Sequence, residues 1–184
     1  MDEILFIRAQ KGDADAFEEF ISAYEKLIYS AAYRMLPSPE DAEDISQEVI
    51  IKVYKNLRSC KSPAAFKSWV FRIIHNTCID EIRKRKGKST VSLDRPPTDT
   101  EGYIENPALR DENTPESEFL RKDMNERIQS AINQLPPDYK AVIIMRDLNG
   151  LSYEEIACAL QTNMGTVKSR IARGRQRLKD MLMM

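Results

Sequence analysis

Histidine is nearly absent from this chain: His75 stands alone, so neither a histidine-rich metal centre nor most nucleophile–base pairs can be assembled. His75 lies three residues before Cys78, but no second pair with metal-ligand spacing follows it. The cysteines, Cys60, Cys78 and Cys158, are scattered and odd in number, which fits reduced thiols better than a disulfide framework. Neither a GxxxxGK[ST] phosphate loop nor a GxSxG elbow occurs. Apolar runs fall well short of the roughly 20 residues that cross a bilayer, and no charged-then-apolar start resembles a signal peptide. Together these absences predict a cytoplasmic protein with no catalytic residues, cofactor, metal site or membrane insertion.

Charge is plentiful and laid out in blocks, although the 184 residues have a formal net charge of only -1. Between Asp2 and Glu48 twelve acidic residues face only Arg8, Lys11, Lys26 and Arg34. A basic cluster, RKRKGK from Arg83 to Lys88, gives way to VSLDRPPTDTEGYIENPALRDENTPESE, rich in Pro, Asp, Glu and Thr and sparse in apolar residues. Such a composition buries too little surface to offset its ordering entropy and predicts a flexible acidic linker.

Helix signals dominate both flanks, and strand-like alternation is missing. Ser38-Pro39, Ser62-Pro63 and Thr114-Pro115 each pair an N-cap with proline at the first helical position. Gly12-Asp13 predicts a helix stop followed by a new cap. Four helices are expected before the linker and about four after it.

Near the end, LSYEEIACAL carries Ser152 and Glu155 at capping-box spacing, with Ile156, Ala157 and Leu160 on one face. The polar turn Gln161-Thr162-Asn163 follows, and then Val167, Ile171, Gly174 and Leu178 form an inward stripe. At roughly 100° per residue, Ser169, Ala172 and Gln176 point away from that stripe. Lys168, Arg175 and Lys179 flank them on one side and Arg170, Arg173 and Arg177 on the other. Short side chains at the centre allow close approach to base edges in a major groove, and the flanking cations suit its phosphate walls. GTVKSRIARGRQRLK holds six cations and no acid, so i,i+4 pairing cannot account for them as an ordinary solvated face.

In the first half, SPEDAEDISQEVIIKVYKNL turns Ala42, Ile45, Val49, Val53 and Leu57 inward. Asp41, Asp44 and Glu48 form an acidic stripe with Gln47 beside it and Ile51 along its edge. Duplex DNA would repel this face, so a basic protein partner fits it better than plain solvent exposure. The segment SPAAFKSWVFRIIHNTCIDEIRKRK is apolar around much of its circumference and is expected to be the central helix. Its polar positions Arg72, Asn76, Asp80 and Arg83 fall near one stripe, where they either hold an unstacked base or merely solvate the bundle.

The motifs DAEDISQEV, FKSWVFRIIHNTCIDEIRKRK, LPPDYKAVI, LSYEEIACAL and GTVKSRIARGR, in this order, resemble the extracytoplasmic-function (ECF) sigma factors of the sigma-70 family. The resemblance implies an all-α chain of two small helical domains. These are a sigma-2 bundle over residues 1–87 and a sigma-4 helix-turn-helix domain over 118–184, joined by an acidic linker over 88–117. It further implies core RNA polymerase and promoter DNA as partners, and an anti-sigma factor as a regulator. By motif, Asp41, Asp44, Gln47 and Glu48 would face the polymerase clamp helices. Trp69 would anchor sigma-2, with Arg72, Asn76 and Arg83 near the minus-ten element. Arg58, Lys61 and Ser62 would belong to a loop that helps hold a flipped base. Thr166, Lys168, Ser169, Ala172 and Arg173 would meet the minus-thirty-five element, with Arg170 and Arg175 nearer phosphates. His75, Asn163-Met164 and Gly174 depart from the family pattern.

Two recognition sites two DNA turns apart are separated by about 70 Å. A 30-residue flexible segment typically spans about 30 Å and reaches about 100 Å when fully extended. The linker must therefore be stretched and held, and polymerase is the body to hold it. An independent helix-turn-helix regulator, an interaction adaptor and a nucleic-acid enzyme compete with this expectation. The first leaves the helix from Phe66 to Lys86 without a role, the second leaves the basic face without one, and the third lacks an acidic metal site.

Overall fold

The computed structural model describes residues 3–88 and 115–183, with side chains over 3–85 and 124–183. The linker lies almost wholly outside them, as does Thr114. Eight α-helices and no strand occur among the described residues, as the all-α expectation requires. The first four are α1 (Glu3–Gln10), α2 (Ala14–Met35), α3 (Pro39–Asn56) and α4 (Pro63–Lys88), with a 3-10 turn at Leu57–Ser59. The rest are α5 (Pro115–Gln134), α6 (Pro137–Ile143), α7 (Tyr153–Ala159) and α8 (Met164–Leu182). A π-helical turn, Ile144–Leu148, which no sequence signal announced, links α6 to the segment before α7.

Local chemistry sets these boundaries. The Asp13 side chain accepts from the Ala16 N–H at 3.0 Å to start α2, directly after Gly12 adopts a φ of +97°. Ser38 and Ser62 cap α3 and α4, accepting from the N–H groups of Asp41 and Ala65. Both halves of the Ser152–Glu155 capping box form at the start of α7. Asn163, at the place of one family departure, accepts from the Thr166 N–H at 2.8 Å and caps α8. Each such cap is worth about 1 kcal/mol.

In the first half, α2 packs on α1, α3 and α4, and α3 packs on α4. Phe66 of α4 is fully buried at their centre, with Phe20 and Tyr24 ring centroids at 4.8 and 4.6 Å, and Phe6 at 6.3 Å. These edge-on aromatic contacts add to the area they bury. Ala42, Ile45, Val49, Val53 and Leu57 are all buried, as the spacing on α3 predicts. In the second half, α8 packs on α5, α6 and α7, burying Val167, Ile171 and Gly174.

The glycine at 174 has a packing reason. A Cβ there would lie 3.0 Å from Ile143 Cγ1 and 3.2 Å from Ile143 Cδ1, and Ile143 is itself buried. Gly174→Ala is therefore expected to lower stability by about 1 kcal/mol, with overpacking of about 1–3 kcal/mol exceeding a helix gain of about 1. Denaturant unfolding measures this; a rise in midpoint would show that Ile143 yields.

The two halves touch. Helix α4 packs against α7, and α2 against α5 and α6. Lys67 donates to the Asn149 carbonyl at 2.6 Å, and Arg34 to Gln129 Oε1 at 3.2 Å. Lys140, only 7% exposed, reaches the Met35 carbonyl at 3.5 Å.

Candidate nucleic-acid interface

On α8, Lys168, Ser169, Ala172, Arg173 and Gln176 are exposed, so the small-centred face anticipated from the helical wheel is open to solvent. Thr166 is half-buried, and the Ser169 hydroxyl donates to its carbonyl at 3.0 Å. Lys168, Arg173 and Lys179 form no ion pair among the described residues. The outer cations differ. Arg170 pairs with Asp138 of α6 at 2.9 Å, and Arg175 is gripped by both oxygens of Asp147, with Nε at 3.0 Å from Oδ2. That pairing holds the Arg175 guanidinium more firmly charged than usual. Arg177 lies over the Tyr139 ring, 5.1 Å from its centroid.

Several contacts fix the approach to α7. Arg146 donates to the Leu151 carbonyl at 2.7 Å and covers the Tyr153 ring, while Asn149 donates to the Ile144 carbonyl at 2.9 Å. The π-helical turn thereby presents Asp147 to α8.

On α4, Arg72 is half-buried, Asn76 and Arg83 are exposed, and Arg83 lies 3.9 Å from Asp80. Trp69 is partly buried against Phe66, with centroids 5.8 Å apart, so it is anchored in the bundle. His75, on the same side as Arg72 and Asn76, is held mainly neutral by burial, which lowers its pKa. Asn76 and the charge of Asp138 oppose that shift, while the charges of Arg170 and Arg83 add to it. Asp138 of α6 and Arg170 of α8 thus lie near enough to His75 for their charges to act on it.

The loop before α4 is tied to α1. Gln10 donates to the carbonyls of Leu57 and Cys60 at 3.1 and 2.7 Å, and Arg58 donates to the Gln10 carbonyl at 3.2 Å. Lys61 is exposed and Ser62 serves as a cap.

On α3 the four acidic-stripe candidates separate. Asp44 and Gln47 are exposed, and Glu48 is half-buried and paired with Lys52 at 2.7 Å. Asp41 turns aside: Arg85, which also binds Glu81, pairs with its Oδ1, and its Oδ2 is buried with no hydrogen-bond partner among the described residues. Ile51 and Tyr54 extend the open face with apolar surface. No cluster of His, Cys, Asp or Glu among the described residues could hold a metal.

Residues 20–88 match the family model for Sigma-70 region 2, and residues 125–178 the model for Sigma-70, region 4. The chain is 38% identical to the ECF RNA polymerase sigma factor SigW of Bacillus subtilis, over 95% of this chain and 93% of that protein. This chain belongs to the ECF sigma factors of the sigma-70 family. It is also 34% identical to the RNA polymerase sigma-H factor of Pseudomonas aeruginosa, over 98% and 93% of the two chains. As an RNA polymerase sigma factor, it shares its fold with CnrH in complex with the cytosolic domain of CnrY. That structure has a TM-score of 0.70 and 22% identity, with 98% of this chain and 96% of that one covered. The exposed acidic face of α3 and the polar stripe of α4 fall within the region 2 match of this sigma factor; the helix-turn-helix falls within its region 4 match.

The wheel located the inner cations of α8 but missed the acids that hold Arg170 and Arg175. Asp138 and Asp147 are 32 and 28 residues from their arginines, so no helical period connects them.

Proposed function

We propose that this sigma factor works without catalysis. Its first domain, residues 1–87, docks on core polymerase through Asp44, Gln47 and Glu48 and holds unstacked non-template DNA along Arg72, Asn76 and Arg83. Asp41 belongs to that docking region through Arg85, which it orients. Trp69 supports the single-strand face from within, and the loop carrying Arg58, Lys61 and Ser62 borders it. The second domain, residues 118–184, docks on duplex DNA through Thr166, Lys168, Ser169, Ala172 and Arg173, with Arg170 and Arg175 on the flanks. Energy for strand separation comes from binding. Its place of action is the cytoplasm, where polymerase works.

One observation carries this reading: a single chain presents an open acidic face on α3 and an open, small-centred basic face on α8. Such opposite surfaces suit two different macromolecules. Residues 88–117 connect the domains, and Lys67 and Asn149 must part before two sites about 70 Å apart are occupied together. An anti-sigma factor that favours the packed arrangement would keep the protein inactive. The solved complex of RpoE with the anti-sigma factor NepR from Bartonella quintana supports that partner class.

Run-off transcription from the DNA upstream of its own gene, with purified core polymerase, tests the reading. A start site is expected only when the protein is added. Arg173→Glu is expected to weaken it at least about fivefold, a base-proximal arginine being worth about 1–3 kcal/mol. Asp44→Arg should weaken it by slowing capture of core. Transcripts unchanged by the protein, together with tight duplex binding by the free chain, would instead indicate an independent regulator.

A further inference from the structure

The recognition helix carries more positive charge than it shows to DNA. Relative to the centre set by Ser169, Ala172 and Gln176, Lys168, Arg173 and Lys179 lie within about 75°, while Arg170 and Arg175 lie about 95–125° away. The third outer arginine, Arg177, about 105° away, covers the Tyr139 ring, whereas Arg170 and Arg175 are held by carboxylates of the domain body.

We propose that Asp138 and Asp147 are specificity-determining residues of the duplex-binding face, neutralising Arg170 and Arg175 so that these two outer arginines do not compete with the inner cations for phosphate. The proposal rests on the assignment of α8 to the minus-thirty-five element. When α8 enters the groove in register, the inner cations meet the phosphate walls, and the outer positions point back toward the body. A freed Arg170 or Arg175 therefore adds little to the correctly docked complex. Out of register, the helix lies loosely on the duplex, and any cation on its rim reaches a phosphate. Releasing an outer arginine strengthens that mode selectively. The argument extends to counterions: each phosphate neutralised steepens the fall of log affinity with log salt by about 0.9. Paired with Asp147, Arg175 brings no net charge to that count. The supply of acid from outside α8 also explains how a helix segment free of acidic residues keeps its charge in check.

The test uses holoenzyme assembled with the full chain and the promoter mapped by run-off. Affinity is measured over a salt series for that promoter and for a version whose upstream element is scrambled and whose downstream half is intact. Asp147→Asn is expected to steepen the salt slope by about 0.9 on the scrambled DNA and leave it nearly unchanged on the native promoter. Discrimination between the two DNAs falls accordingly. Asp147→Glu, which keeps the charge, should behave as the parent. Asp138→Asn should repeat the effect through Arg170, and it carries the test alone if Asp147→Asn loses its cooperative unfolding transition. Unchanged slopes on both DNAs would overturn the proposal, as would equal steepening on both. Weaker binding confined to the native promoter would also overturn it, since Asp147 would then be orienting Arg175 for a contact in the docked register. If no start site maps at all, the sigma-factor role itself has failed; a mapped start site with unaltered slopes refutes only the role of the two aspartates.

Discussion

A chain tethered across its seam, between positions 67 and 149, is expected to give no run-off transcript from a promoter that the untethered protein uses. The Lys67 ammonium and the Asn149 carbonyl are 2.6 Å apart, whereas the two promoter elements are separated by about 70 Å. No rotation about a short tether at that point lets both domains reach their sites. The variant carries Lys67→Cys, Asn149→Cys and Cys158→Ser and is closed with a reductant-cleavable bismaleimide. The remaining thiols are protected: Cys60 and Cys78 are buried, and burial pushes Cys78 up to about 12 and raises Cys60. Asn149→Cys sacrifices the bond to the Ile144 carbonyl, so the untethered triple variant is the proper reference. Cleaving the tether should restore the transcript. A tethered chain as active as its reference would mean that initiation does not require the halves to part.

The sequence disclosed the elements that depend on near neighbours. Caps at Asp13, Ser38, Ser62 and Ser152, the inward stripe of α3 and the open face of α8 all follow from spacings within one or two turns. Family resemblance then tied these to function. What stayed hidden depends on long-range packing. The π-helical turn has no local signature: it arises where Arg146 and Asn149 satisfy the carbonyls of Leu151 and Ile144. Asp41 looked like a member of an exposed stripe because α3 alone places it there; Arg85, 44 residues away, turns it inward. Likewise, Gly174 departs from the family pattern for a reason α8 alone does not hold: Ile143 occupies the space of a side chain at that position. A helical wheel assigns faces, and only the packed neighbours decide which charges on a face remain free.

Lys140→Met is expected to shift the balance toward the packed form and to raise the core polymerase needed for half-maximal run-off. In the packed form the Lys140 ammonium is buried between the halves, with the Met35 carbonyl 3.5 Å away and no carboxylate among the described residues paired to it. Cys78 of α4 faces it, and Lys52 of α3 acts on that same thiol while donating to Thr77. Burial is the main cause lowering the Lys140 pKa, with the Cys78 charge opposing it. Methionine fills a similar volume without a charge to desolvate, and exchanges of buried ionic groups for apolar ones stabilise by about 1–4 kcal/mol. The ratio of open to packed protein should therefore fall between several-fold and several-hundred-fold. The rate of tethering at positions 67 and 149 should report this as faster closure. The pH dependence separates the charge from simple packing. With its pKa depressed in the packed form and ordinary in the open form, at about 10.4, Lys140 binds fewer protons when the halves are closed. Rising pH consequently favours the packed form of the parent, and the gain is complete above the ordinary lysine value. Below the depressed value, closure bears the full desolvation of the ammonium. The Met variant should lose this part of the pH dependence. Equal tethering rates and equal core requirements for the two proteins would show that Lys140 is solvated whether or not the halves are joined.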